Sequence, residues 1–383
     1  MKQKKILALE SLRGFAALSV ALLHFNTGSY FNNGFTNNAW LMVDFFFVLS
    51  GFVIAFNYID RIYSLPELLT FQKKRFWRLY PLHLVTLFLF TGIEIAKYIV
   101  EIKYGLVANN QAFSQNDFTS FLANIFLVQN LLITEPTFNG VSWSISSEFY
   151  TYTLFALLLL ITRNNRVIIS IVLSITILTS GILLFYYSMN EDNFTGPLRC
   201  LYSFSIGVLT LILYQLLKKM IQLPNSLISL ILIISSVLVV INFGHKTIGY
   251  VVLTPFLFGL TILFLVLTKK NTAIHYYLSK NYLVYLGTIS YGIYMIHQFV
   301  WWTIKQFLRF FLKFPVENLN GVTSIVYDNF LISNLISFLG ISLVIILAHF
   351  SYTLVEKRFY KKKISNFNKF YKYVFFILFA KLI

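Results

Sequence analysis

Ten runs of apolar residues recur along this chain, at about 6–25, 39–57, 80–101, 148–162, 166–187, 198–217, 225–243, 248–268, 283–308 and 331–355. A hydrocarbon core about 30 Å thick takes roughly 20 apolar residues to cross as a helix. Backbone groups find no water there, so only helices and closed barrels can span it. A barrel would show segments of about ten residues with alternating polarity. The long continuous runs choose helices, and the sequence predicts an all-α, polytopic integral membrane protein of about ten transmembrane helices. Composition agrees. Of the 383 residues, 57% are hydrophobic and only 12% charged, where soluble domains carry about 25% charge. That excludes an ordinary soluble domain, and the apolar content excludes a disordered chain. A single cysteine, Cys200, leaves no internal disulfide and no cysteine metal cage; its plain reading is a small apolar packing residue.

The net charge of +17 sits in short clusters between the apolar runs, as in the cytoplasmic loops of a membrane protein rather than on a nucleic-acid-binding surface. With the amino terminus inside, segments on the cytoplasmic side hold 23 Lys and Arg and the outer ones 5. That asymmetry predicts both termini in the cytoplasm. Glu10 and Arg13 interrupt the first run and no small-residue cleavage site follows Phe25, so it reads as a retained span rather than a signal peptide. The chain then divides into a transmembrane domain over 1–360 and a basic, apolar tail over 361–383, whose stretch 370–380 is too short to span and reads as interfacial. No room remains for a second, extracytoplasmic domain. Segment 102–147 is the one sizeable loop, with 118–133 apolar enough to lie on or dip into the membrane. No internal repeat is evident, which counts against repeat-built transporters.

An ionisable residue inside a span costs about 2.5–3.5 kcal/mol on insertion scales, so each needs a reason. Arg13 and His24 stand eleven residues apart, on one helix face and about 16 Å from each other. His24 reads equally as an interfacial residue or as one end of a path across the membrane. Asp44 opens the second span and needs a cationic or donor partner, while Ser50-Gly51 permits close helix approach. Arg75 and Arg78 lie at i, i+3 in a cytoplasmic segment, with Pro81 marking the start of the third span. Two guanidinium forks suit phosphate; the plainer reading is a topology signal resting on anionic lipid. Before the fourth span come Trp143, Ser144 and Glu148. They read either as a helix cap with an acidic first turn or as a polar pocket wall with Trp143 stacked on a sugar. Further on lie Tyr291, His297, His349 and Glu356, the last at a span end beside Lys357 and Arg358. His83, His245 and His275 read as ordinary interfacial histidines. No metal-ligand spacing and no phosphate-binding glycine loop is present.

Taken in order, these segments resemble a known family. Leu9-Glu-Ser-Leu-Arg13-Gly-Phe followed by His24-Phe25, with its Arg-x10-His spacing, resembles the opening signature of the membrane acyltransferase 3 family. Val43 through Gly51, Arg75-x-x-Arg78 with Pro81, Trp143-Ser-Ile-Ser-Ser-Glu148, Leu286 through Tyr291 with His297, and Ser351 through Lys357 resemble its later motifs. Six motifs in order cover residues 9 to 358. Two departures stand out: Glu148 lacks the second acid often found beside it, and Arg358 occupies the place of a common proline.

The resemblance implies transfer of an acyl group, usually acetyl, from cytoplasmic acyl-CoA to a hydroxyl of a cell-surface or lipid-linked glycan. It implies a multi-pass protein of a bacterial inner (plasma) membrane, without the extracytoplasmic esterase-like domain that some members carry. On this reading Arg75 and Arg78 hold CoA phosphates, and Arg13 holds a phosphate or orients the thioester. His24 acts as general base or forms an acyl-histidine. Asp44 or Glu148 orients its imidazole. Trp143, Ser144, Tyr291, His297 and Glu356 are expected to contact substrate. No metal is implied; membrane lipid and the glycan are the expected partners, and nucleic acid is not. Two other classes share the ten spans: a carrier for an anionic metabolite or lipid-linked sugar, and a receptor or assembly protein without chemistry. A carrier would not consume acyl-CoA. A receptor gives no reason for Arg and His on one intramembrane face.

Overall fold

A computed structural model describes residues 5–105, 109–189, 192–243, 249–319 and 322–361. The tail expected over 361–383, apart from Lys361, and His245 lie outside the described residues. The chain is a helical bundle. Its helices in order are α1 (Leu7–Leu23), α2 (Gly34–Asn37), α3 (Met42–Tyr58), α4 (Leu65–Tyr104), α5 (Phe118–Ile125), α6 (Gln129–Leu132), α7 (Trp143–Ile161), α8 (Arg166–Tyr187), α9 (Thr195–Leu217), α10 (Leu227–Phe243), α11 (Thr254–Leu267), α12 (Ala273–Leu278), α13 (Asn281–Thr288), α14 (Ser290–Phe310), α15 (Phe330–Ser351) and α16 (Lys357–Lys361). One antiparallel hairpin, β1 (Val316–Leu319) with β2 (Val322–Ile325), pairs Val316 with Ile325 between α14 and α15.

Among the described residues, six helical stretches are long and apolar enough to cross a membrane: Ala39–Tyr58, Leu65–Tyr104, Gly140–Ile161, Arg166–Tyr187, Thr195–Leu217 and Phe330–Phe359. Leu227–Asn242 and Val251–Leu267 are apolar but shorter. The helices that fall outside both groups carry much of the site. α1 has 17 residues and includes Glu10 and Arg13; α14 includes His297, Gln298, Lys305 and Arg309.

Three expectations shift. Pro81 does not start a helix: the 40-residue α4 runs through it. The proline forfeits one i→i−4 bond, and the turns on both sides carry the helix on. At 1.5 Å per residue α4 is about 60 Å long, so it outreaches a hydrocarbon core. The single span expected over 283–308 is two helices that meet at Ile289, the cap of both. The last span widens after Ser351 into a π-helical turn, Tyr352–Glu356, which turns Glu356 into the interior. π-bulges of this kind gather at functional sites.

Glycines set the closest packing. A Cβ on Gly51 of α3 would stand 2.1 Å from the Phe204 carbonyl oxygen of α9, and one on Gly207 of α9 would stand 1.9 Å from that of Val48. α3 and α9 therefore touch backbone to backbone, as the Ser50-Gly51 pair suggested. α1 meets α13 in the same way, with Gly287 against the Glu10 carbonyl. α14 is pinned to α1 by the Trp301 indole N–H, which donates to the Ala21 carbonyl at 2.7 Å, and by its ring stacked on Phe25 at 4.2 Å.

Candidate functional site

A cavity of about 350 Å³ opens between α1, α3, α4, α7, α14 and the π-helical turn. Its lining holds five cations, Lys5, Arg13, Arg75, Arg78 and Lys357, against three carboxylates, Glu10, Glu148 and Glu356. Most of these charges are already paired. Arg13 meets Glu10 at 3.3 Å, and Arg78 meets Glu356 at 3.2 Å. Glu148 accepts hydrogen bonds from the hydroxyls of Ser50 and Tyr152. Arg75 differs. It is 8% exposed, its guanidinium lies over the Tyr58 and Phe71 rings at 5.6 and 5.8 Å, and its buried Nε has no hydrogen-bond partner. Among the described residues no carboxylate pairs with it, and a buried, unpaired cation is costly, so this wall is suited to a negatively charged ligand.

A second cavity of about 230 Å³ adjoins the first; His24, Trp40, Pro136, Gly140, Trp143 and Gln298 are among its lining. Val43 and Tyr294 line both cavities and so form the partition between them. The Tyr294 hydroxyl is held 2.8 Å from that of Ser144 and donates to the Val141 carbonyl at 3.0 Å. His24 is the C-cap of α1, with Nδ1 2.9 Å from the Val20 carbonyl oxygen and 3.3 Å from Nε2 of His297. The loop ahead of α7 closes this chamber through Pro136, Gly140 and Val141 and is tied down by Asn139, whose amide donates to the Met295 carbonyl at 2.9 Å. Farther along that loop Asp117 caps α5, and the Ser120 backbone N–H it accepts holds its carboxyl below the usual range.

The residues singled out in the sequence separate into groups. Arg13, Arg75, Arg78, Ser144, Glu148, Tyr291 and Glu356 share the larger cavity. His24 and Trp143 line the smaller one, and His297 lies behind His24 with ring centroids 5.0 Å apart. Asp44 lines neither. Fully buried, it pairs with Arg199 at 2.7 Å and accepts from Ser203 at 3.2 Å. That guanidinium lies over the rings of Trp40 and Trp143, at 5.1 and 5.2 Å. Hydrogen bonds of the Asp44 and Glu148 carboxylates thus run to groups other than the His24 imidazole. Trp143 is 3% exposed and engaged by Arg199 rather than offered as an open stacking face. No side chain caps α7, so the helix-cap reading of Ser144 also gives way. His83 and His275, expected at the membrane interface, are buried within the protein, and each meets a carbonyl, of Asn124 and Leu265.

Sequence reasoning missed Arg199, Ser50, Tyr152 and Tyr294. Tyr152 carried a signal, being one turn after Glu148. Tyr294 did too: Tyr291, Tyr294 and Gln298 recur at i, i+3, i+7, the spacing of one helix face. A larger apolar cavity, about 620 Å³, lies on the opposite face of α1 against Leu12, Phe15 and Ala16, and no charged side chain lines it. Among the described residues, no group of three or more His, Cys, Asp or Glu side chains could hold a metal ion.

The family model described as "Acyltransferase domain", that of the acyltransferase 3 family, matches residues 6–353. The chain belongs to this acyltransferase family. Acyltransferase MdmB of Streptomyces mycarofaciens is 35% identical over 162 residues, which cover 39% of this chain and 38% of that protein. A Staphylococcus aureus (strain COL) protein named "Putative O-acetyltransferase SACOL0978" is 26% identical over 401 aligned positions, 96% of this chain and 59% of the relative. Protein 2 in picA locus of Rhizobium radiobacter is 35% identical over 100 residues, covering 25% of this chain and 50% of that one. The chain thus spans less than two thirds of the length of these relatives. No solved structure matches it significantly.

Proposed function

We propose that the chain is a bacterial plasma-membrane acyltransferase that moves an acyl group, most simply acetyl, from cytoplasmic acyl-CoA to a hydroxyl of a surface or lipid-linked glycan. The observation that carries this reading is the pair of cavities. One is basic and reaches the bundle face that holds Lys5, Arg75 and Lys357; the other holds His24; a two-residue partition separates them. The first suits a polyanionic thioester donor. At about 350 Å³ it is at the low end of ligand pockets, so the acyl arm occupies it and the nucleotide phosphates sit at its basic mouth, with Arg75 and Arg78 as their guanidinium forks. The second suits an acceptor hydroxyl arriving from the other side, with His24 as its general base. Ten spans with both termini in the cytoplasm put the basic cavity inside and the His24 chamber outside.

Transfer is tested by measuring base-labile acetate on the envelope glycans of a host that expresses the wild type or His24→Ala at matched membrane levels. Acetate with the wild type and none with the variant is expected. Equal acetate in both would remove His24 from the chemistry. Purified Arg75→Ala is expected to raise KM for acetyl-CoA about tenfold or more, the scale of one charged hydrogen bond. An unchanged KM would return Arg75 to a lipid-facing role.

A further inference from the structure

One polar side chain in the smaller cavity is left uncommitted by the fold. Gln298 lies on α14 one turn beyond Tyr294, half-buried, and lines the chamber that holds His24. Among the described residues its amide has no hydrogen-bond partner. Its polar neighbours are engaged. The Tyr294 hydroxyl is held by Ser144 and by the Val141 carbonyl, and the Asn139 amide donates to the Met295 carbonyl. The Gln298 amide is also firmly placed. Its helix is pinned to α1 one turn on by the Trp301–Ala21 bond. Gly140, in the anchored loop, faces it: a Cβ there would stand 3.3 Å from Gln298 Oε1 and 3.6 Å from Nε2. A side chain at 140 would crowd both amide atoms, so the glycine keeps them clear.

Charge narrows the ligand. Among the described residues, no Asp, Glu, Lys or Arg side chain lines this cavity. Arg199 lies over the Trp40 and Trp143 rings but is paired with Asp44. A phosphate or carboxylate placed here would lose water and meet no counter-ion, which is costly. The walls are apolar and aromatic, with Val20, Leu23, Trp40 and Pro136 among them. Such walls suit the C–H face of a sugar ring, while a few polar groups fix its orientation. A side-chain amide offers an acceptor oxygen and two donor hydrogens. Hydroxyls on adjacent ring carbons present the complementary pair. We infer that Gln298 is the specificity-determining residue for the acceptor: Oε1 accepts from one hydroxyl of a neutral sugar, Nε2 donates to the next, and this grip sets which hydroxyl meets His24. The inference rests on the acceptor role given to this cavity above. The two cavities then sort their ligands by charge, cations lining the one and a neutral amide the other.

The test uses the full chain in lipid nanodiscs, with acetyl-CoA as donor and a de-O-acetylated bacterial envelope glycan as acceptor. Gln298→Met keeps the length and bulk of the side chain and deletes both amide groups. It is expected to lower kcat/KM for the glycan about tenfold, the scale of one to two neutral hydrogen bonds, and to leave KM for acetyl-CoA within about twofold. NMR of the product should show acetate at one ring position with the wild type and at more than one with Gln298→Met. An unchanged kcat/KM for the glycan would overturn the inference, and so would acetate confined to the wild-type position. Because the amide meets no described protein group, Gln298→Met should unfold at the wild-type temperature; a clearly lower one would make Gln298 structural and sink the inference. Binding is read separately, in His24→Ala protein titrated with the same glycan and followed by tryptophan emission. Adding Gln298→Met should weaken Kd about tenfold; an equal Kd, or no binding to either protein, would overturn the assignment. Binding that depends on Gln298 without any transfer by the wild type would instead strike the function proposed above and leave the sugar contact standing.

Discussion

At the scale of single residues, two buried charges have opposite meanings. Arg75 is a buried cation whose Nε lacks a partner, and it faces a cavity. Asp44 is a buried anion fully met by Arg199 and Ser203, and it faces none. The first is suited to a negatively charged ligand; the second is a strut. Removing one member of a buried pair costs about 3–5 kcal/mol, because the other is left charged and unpaired. Asp44→Ala should therefore lower stability by about that amount in thermal or denaturant unfolding of detergent-solubilised protein, with transfer lost only as folded protein is lost. The double variant Asp44→Leu with Arg199→Leu should be more stable than Asp44→Ala alone, since no charge is stranded. Wild-type stability for Asp44→Ala would mean that the pair holds nothing. The need of Asp44 for a cation was legible in the sequence, because a carboxylate in a span must be compensated. Its partner was not. Arg199 lies 155 residues away on another helix, and no local spacing points to it. His24 presents the converse case: its special position came from the Arg-x10-His spacing, but its contact with His297 spans 273 residues and needed the packed helices.

At the scale of elements, the site is assembled where helices come closest. α3 brings Val43 and Ser50 to the cavities, and it holds its place by backbone contact with α9 at Gly51 and Gly207. Without a hydrophobic drive between helices in lipid, such small-residue contacts carry much of the packing. A Cβ on Gly207 would lie 1.9 Å from a backbone oxygen, which cannot move aside as a flexible side chain can. Gly207→Leu should consequently abolish the monodisperse peak in size-exclusion chromatography, while Gly92→Ala, where a Cβ meets nothing within 4 Å, should leave it intact. A normal elution profile for Gly207→Leu would disprove the backbone contact. Hydropathy found each long helix because burial in lipid demands long apolar runs. It missed that the helix runs on through Pro81 and that it breaks at Ile289, because those depend on neighbours. A proline is tolerated inside a helix that packing supports, and the break falls where Gly287 lets α13 meet the backbone of α1. The π-helical turn before α16 was hidden as well, since its reason is the burial of Glu356 beside Arg78.

At the scale of the whole molecule, the proposed chemistry needs the two cavities to face opposite compartments, and that demand can be tested without any substrate. Arg13 lies midway along α1 and His24 at its end, so the helix itself runs from one cavity to the other. The charge asymmetry of the loops predicts that the turn after α9 faces the cytoplasm and the loop after α4 the other side. The only native thiol, Cys200, is fully buried beneath Thr151, so the background for thiol labelling is low. Cysteines introduced at exposed positions on either side report directly: Met220→Cys, 82% exposed in the native chain, in the turn after α9, and Gln111→Cys in the loop after α4. In intact cells a membrane-impermeant maleimide should label Gln111→Cys and spare Met220→Cys; after permeabilisation it should label both. Labelling of both in intact cells, or of Met220→Cys alone, would put the basic cavity on the wrong side for a cytoplasmic acyl-CoA. Six stretches long enough to span are evident from length and composition alone. Of the other expected spans, α1 and α14 carry polar site residues while α10 and α11 are apolar but shorter, and for all of them the orientation of each loop is the decisive physical observable.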